Sequence, residues 1–261
     1  MARAVSTVLD VSVSLLLVGV AVTTLGFAVP VEDEPSQIET DTTANSIGTV
    51  TASVPVAGDR RAHDTLAGHL TAAAMVNGSI DGIQIGSARY PESVRRTVRN
   101  RTDERTHVTV RWRPYPDAPL RGNLAVGPKP PSTADVSVTR WRLDSGIDAP
   151  KSLASFEATA TSLSTAYVTR LFPPERTRIA LVDPRTAPRT AERYRAFAEA
   201  LETDVDDALA DASPRRANEQ LASALADRLE SDLRKTYTSP VAATNERTES
   251  DTELVIRRWE P

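Results

Sequence analysis

Residues 106–114 read THVTVRWRP, with apolar and polar side chains in alternation and Val108, Val110 and Trp112 sharing one face. A period of two is the mark of an extended strand with one face buried. The pattern returns at residues 135–143, DVSVTRWRL, and at 253–261, ELVIRRWEP, and these three segments hold all three tryptophans. In the second, Ser137, Thr139, Trp141 and Leu143 lie opposite Val136 and Val138. Three strands of this kind predict an antiparallel sheet. They also raise a candidate recognition face built from Trp112, Trp141 and Trp259 with the neighbouring arginines, because Trp and Arg recur in binding hot spots. The competing reading packs the tryptophans in the core and lays arginine stems along its rim.

Working outward, residues 47–56 carry β-branched side chains at alternate places, and Val54-Pro55 marks an edge or an early end. A helix should follow from a cap at Asp59, with Leu66, Leu70, Ala73 and Ala74 at helical spacing and Asn77-Gly78 as the stop. Residues 80–85 suit a short strand, and Pro91 the first turn of a helix that places Val94 and Val98 on one face. Residues 114–132 contain six prolines, and the Pro128-Lys129-Pro130-Pro131 element within them reads as an extended loop rather than a ligand motif. The C-terminal half is helical in pattern. Residues 152–171 align Phe156, Ala160, Leu163, Tyr167 and Leu171, and Pro173-Pro174 ends the stripe. Residues 179–182 suit a brief strand. Two further helices are expected at 188–209 and 214–237, the latter with Leu221, Leu225, Leu229 and Leu233 on one side. The strand at 253–261 then returns the chain to the sheet, giving an α+β fold of antiparallel sheet and helices over residues 46–261.

Residues 11–29 carry no charge and lie between Arg3 and the acidic run Glu32-Asp33-Glu34. A helix of that length reaches about 28 Å, close to the hydrocarbon thickness of a bilayer. Residues 1–30 therefore read as a membrane anchor. With no Lys or Arg between Arg3 and Arg60, the N-terminus is expected inside and the rest of the chain outside. A cleaved signal peptide is the alternative, with Gly26-Phe27-Ala28 offering small residues at a cut site, although the run exceeds the usual apolar region. Residues 31–45, rich in acidic residues, Pro and Thr, read as a polar stalk. Asp10 borders the apolar run. It either marks the cytoplasmic surface or pairs with a group on a neighbouring helix.

The N-terminal Arg3-Ala4-Val5-Ser6-Thr7-Val8-Leu9 ahead of an apolar helix resembles the start of haloarchaeal type IV pilin-like proteins, although Asp10 stands where those helices continue with small or apolar residues. The segments Tyr115-Pro116-Asp117-Ala118-Pro119-Leu120-Arg121-Gly122 and Arg170-Leu171-Phe172-Pro173-Pro174 are similar to an uncharacterised haloarchaeal family of single-anchor proteins. The resemblance implies association with pilus-like or secretion-like machinery, with other single-helix membrane subunits as partners.

Composition narrows the chemistry. Three of the 31 basic residues are lysines, a bias that suits either a halophilic source or a GC-rich genome. A net charge of −4 and a pI near 5.5 argue against nucleic acid as a partner. The absence of cysteine removes disulfides, thiol catalysis and thiolate metal sites. His63 and His69 do not converge as a metal pair on one helix would, and the three histidines, including His107, read as surface groups. Asp204, Asp206, Asp207 and Asp211 lack the glycine and terminal glutamate of a calcium loop and read as a solvated acidic face. There is no Gly-rich phosphate loop and no nucleophile elbow. The sequence thus calls for no catalytic residue, cofactor, metal or small-molecule ligand. Asn77-Gly78-Ser79 and Asn100-Arg101-Thr102 are glycosylation sequons by pattern. The expectation is a non-enzymatic structural or accessory component of a pilus-like assembly. The alternatives are an anchored extracellular binding module for a cell-surface ligand, or a secreted domain after signal cleavage.

Overall fold

The computed structural model describes residues 35–57, 60–147, 155–246 and 252–260. The chain forms two units, Met1–Ile38 and Glu39–Pro261, and the sheets and core belong to the second. The expected anchor, the cut site after Ala28 and Asp10 lie outside the described residues. Among the described residues, no helix is long and apolar enough to cross a membrane.

The architecture is α+β with antiparallel sheets. Helix α1, Pro35–Thr49, takes up most of the stretch read as a stalk, and it turns Ala44 and Ile47 into the core. The first strand therefore starts at Thr51 rather than at residue 47. Strands β1, Thr51–Ala57, and β2, Arg60–Thr65, form a hairpin. That ladder consumes the residues expected to open a helix at Asp59. Helix α2, Leu66–Val76, begins instead where the Thr65 hydroxyl accepts the Gly68 N–H at 3.0 Å, a side-chain cap.

The main sheet contains β3, Gly78–Ile80, β4, Ile83–Gln84, β5, Thr106–Trp112, β6, Leu120–Val126, β7, Val136–Leu143, and β8, Thr252–Trp259. Its order is β4-β3-β6-β5-β8-β7, every neighbour antiparallel. The C-terminal strand is thus central, hydrogen-bonded on both sides. Asp81-Gly82, with φ of 50° and 87°, makes the tight β3–β4 turn, both residues left-handed as such hairpins need. Helix α3, Arg89–Arg99, buries Pro91, Val94 and Val98.

Strand β6 lies inside the proline-rich stretch 114–132, where the sequence pattern predicts no strand, and it ends before Pro128-Lys129-Pro130-Pro131, which is a loop as expected. Leu120, Gly122, Leu124 and Val126 are buried while Arg121, Asn123 and Ala125 are exposed, so the period of two was present between the proline clusters. Gly122 is needed for packing: a Cβ there would stand 2.3 Å from the Ala74 carbonyl oxygen, because the α2 backbone rests directly on β6.

The rest is helical: α4, Phe156–Leu171, α5, Pro174–Val182, α6, Ala187–Ala200, α7, Asp206–Ala210, α8, Pro214–Thr236, and α9, Pro240–Glu246. Two expectations fail here. Residues 179–182 are the end of α5, which starts on Pro174 and turns Thr177 and Leu181 inward, leaving Ile179 and Val182 exposed. The single helix expected over 188–209 breaks at Glu202, whose φ is 54°, and restarts where the Asp204 carboxylate accepts the Asp206 N–H at 2.7 Å. Helix α4 packs along α8, where Leu221, Leu225, Leu229 and Leu233 are fully buried as their spacing predicts.

Among the described residues, one face of the sheet carries both hydrophobic clusters. Val108, Val110, Leu124, Val126, Leu254 and Ile256 pack with α1, α2, α3 and β1. Trp112, Leu120 and Ile80 pack with the C-terminal helices. Tyr167 ties the sheet to α2: its ring stacks on Trp112 at 5.0 Å, and its hydroxyl donates to the Met75 carbonyl at 3.1 Å. Within the helical cluster, the Tyr194 hydroxyl donates to the Asn218 side-chain oxygen at 2.6 Å, and the Asn218 amide donates to the Phe172 carbonyl at 2.8 Å.

Candidate functional site: an arginine-lined sheet face

The alternation that turns Val108, Val110 and Trp112 toward the core turns Thr109 and Arg111 the other way. In β7 the same rule sends Arg140 and Arg142 outward with Val136 and Val138. Register then aligns these residues across strands. Arg111 and Arg142 flank Glu253 in one row, Thr109 and Arg140 flank Val255 in the next, and His107 and Val138 flank Arg257 in the third. Arg121 of β6 points the same way, since its neighbours Leu120 and Gly122 are buried and it is exposed.

No described helix covers this face. Arg111, Arg121, Arg140 and Arg142 are exposed, as are Asn123, Ala125 and Val138. Val255, opposite Thr109 and Arg140, is nevertheless buried. Among the described residues, five arginines, Arg111, Arg121, Arg140, Arg142 and Arg257, face a single carboxylate, Glu253, which is 3.9 Å from Arg111. Among the described residues no carboxylate pairs with Arg121, Arg140 or Arg142, and Arg257 donates to the Thr109 hydroxyl at 3.1 Å. The face therefore sums to +4 on a chain of net −4, which leaves −8 for everything else. At such a face planar guanidinium groups are the donors suited to carboxylates.

The tryptophans do not form one surface. Trp112 is 2% exposed and lies in the core against Tyr167. Trp141 is on the same side of the sheet, half-buried beneath α1, so close that a Cβ on Gly48 would meet its ring at 2.7 Å. Trp259 alone is on the outer face, half-buried opposite Val136. The arginines flanking the tryptophans, rather than the tryptophans, are what the fold gathers. That was readable from the sequence: in an R-W-R strand, burying the Trp exposes both arginines.

The other singled-out residues scatter. The Asn77 amide donates to the Asn123 carbonyl at 2.8 Å, which commits it to the β6 backbone, whereas Asn100 is exposed at the end of α3. His63 is exposed on β2, not on a helix, while His69 and His107 are buried, contrary to the surface expectation. His69 stands 2.8 Å from the Tyr90 hydroxyl through Nδ1 and 3.0 Å from the Ala52 carbonyl through Nε2, so both ring nitrogens are used in joining α2 to α3 and β1. Tyr90 is pushed up to about 12, chiefly by burial and then by the Asp64 charge, with Arg170 opposing; it stays a neutral donor. Two members of the acidic run are paired, Asp206 with Arg195 and Asp211 with Arg216, each at 2.7 Å. Among the described residues, no cluster of three or more His, Asp or Glu is arranged to hold a metal.

Residues 9–259 match a family of unknown function, DUF7284. The chain belongs to that family. The match begins at residue 9, so it takes in the apolar run as well as the sheet and helices. No curated protein and no solved structure matches the chain.

Proposed function

We propose that the chain is an accessory component of a pilus-like membrane assembly, held by residues 11–29 and docking an acidic partner subunit through the open arginine face. The observation that carries this reading is the one-sided sheet. A face that no described helix covers, with five arginines against one glutamate among the described residues, on an otherwise acidic chain, is a surface shaped for a negatively charged partner. The uncharged run and the Arg3 asymmetry support an anchored, outward-facing domain. Under this reading the protein is a binding and assembly component rather than an enzyme, and needs no cofactor.

The test is recovery of partners from the native membrane. Wild type and the double variant Arg140→Glu/Arg142→Glu are purified from membranes of the source organism after mild crosslinking. Wild type should bring down single-helix membrane chains with acidic outer domains, and the variant should lose them while inserting normally. Equal recovery by both would defeat the docking role. If instead a surface polymer is recovered by wild type alone, the anchored binding module becomes the better reading.

A further inference from the structure

The outer edge of β7 is an open ladder. Strand β7 lies at the end of the sheet order and pairs with β8 without a break, from Val136↔Trp259 to Leu143↔Thr252. Among the described residues, no backbone hydrogen bond outside that ladder reaches residues 136–143. Two other edges are blunted in familiar ways. Strand β4 at the opposite end is two residues long, and β1 carries Pro55 with a register shift between Pro55 and Ala57. At 8 residues, without proline or bulge, β7 has neither device.

What β7 does carry is charge of one sign, Arg140 and Arg142, both exposed on the outer face. Charged edges resist chance pairing, but a single sign resists selectively. A second copy adding antiparallel about Arg140 or Trp141 would set arginine directly against arginine, which is unfavourable, and pairing about Thr139 would set Arg140 and Arg142 against Val138 and Val136 with no carboxylate to meet them. A strand with carboxylates at alternate positions would set them against Arg140 and Arg142. Its intervening side chains would then lie beside Thr139, Trp141 and Leu143, which are half-buried. Resting on the reading of the arginine face as a docking surface, we infer that the β7 edge accepts an extended partner strand in which acidic and apolar residues alternate. Main-chain hydrogen bonds would then give the affinity, and the two arginines the choice of partner.

The probe is an octapeptide of alternating valine and glutamate, matched to the 8 residues of β7 and added to the full-length chain in detergent. Binding is followed together with hydrogen exchange of the amides in residues 136–143. The acidic peptide should bind and protect alternate β7 amides. Its affinity should fall about tenfold or more in Arg140→Glu/Arg142→Glu. The valine–lysine peptide, and the acidic peptide N-methylated at alternate residues, should not bind. Charge-dependent binding that survives N-methylation and leaves β7 unprotected would overturn strand addition yet leave acidic docking on the face standing. No binding by any peptide would also overturn it, and the docking reading is then decided separately by recovery of partners from the membrane.

Discussion

Single side chains sort by which side of the sheet they occupy, and the two tryptophans Trp112 and Trp259 show the contrast. Trp112 is 2% exposed and stacked on Tyr167, so Trp112→Ala should cost about 3–5 kcal/mol, as large aromatic deletions in cores do. Trp259, half-buried on the arginine face, should cost under about 1 kcal/mol on the same change, the scale of a cross-strand pair. Denaturant midpoints of the two variants measure this, and similar losses would contradict the assignment of faces. Asp103 adds a pH dependence. Burial raises its pKa but is outweighed by hydrogen bonds from the Thr106 hydroxyl and Arg105 N–H and by the Arg258 guanidinium 2.8 Å away, which hold it below the usual carboxylate value. A depressed folded pKa contributes stability above the unfolded pKa of about 3.9 that is lost as pH falls through the folded value. Asp103→Asn should therefore lower stability by about 1 kcal/mol at neutral pH and by progressively less in acid. A loss that stays constant down to the acid limit would show that the charge is not what matters.

At the scale of elements, β8 decides whether the sheet exists. It lies between β5 and β7, with Leu254 and Ile256 buried, so ending the chain after Glu246 would separate β7 from β5 and expose both edges. The truncated chain should fail to give a cooperative melting transition, whereas a disposable tail would leave the melt unchanged. The strands at β5, β7 and β8 and the leucine stripe of α8 were legible because period two and period 3.6 are strong signals when one face is buried. Strand β6 was hidden by the prolines on both sides of it. Residues 60–65 were misread because Arg60, Arg61, His63 and Asp64 give little strand signal by themselves; pairing with β1 makes them a strand. The break after Ala200 depends on a left-handed Glu202, which no apolar pattern announces. The arginine face was half visible: R-W-R predicts arginines outward on β5 and β7, but only register, and the absence of a covering helix among the described residues, make them one surface.

Across the whole molecule one side of the sheet carries the core, and in the proposed function the other side is the interface. The charge division, +4 on the face and −8 elsewhere, would orient an approaching acidic partner before contact, an effect that fades as salt screens it. In a host that glycosylates sequons, Asn100 should carry the glycan and Asn77 should not, because the Asn77 amide is held by the β6 backbone; glycopeptide mass spectrometry on the native protein reads this directly. The most direct test of the interface uses a photocrosslinking residue placed at Val138 on the arginine face or at Ile179 on α5, both exposed, in cells of the source organism. Irradiation should link the chain to an acidic membrane subunit from Val138 and not from Ile179. Equal products from the two positions, or none from Val138 while the chain is inserted and folded, would contradict the account.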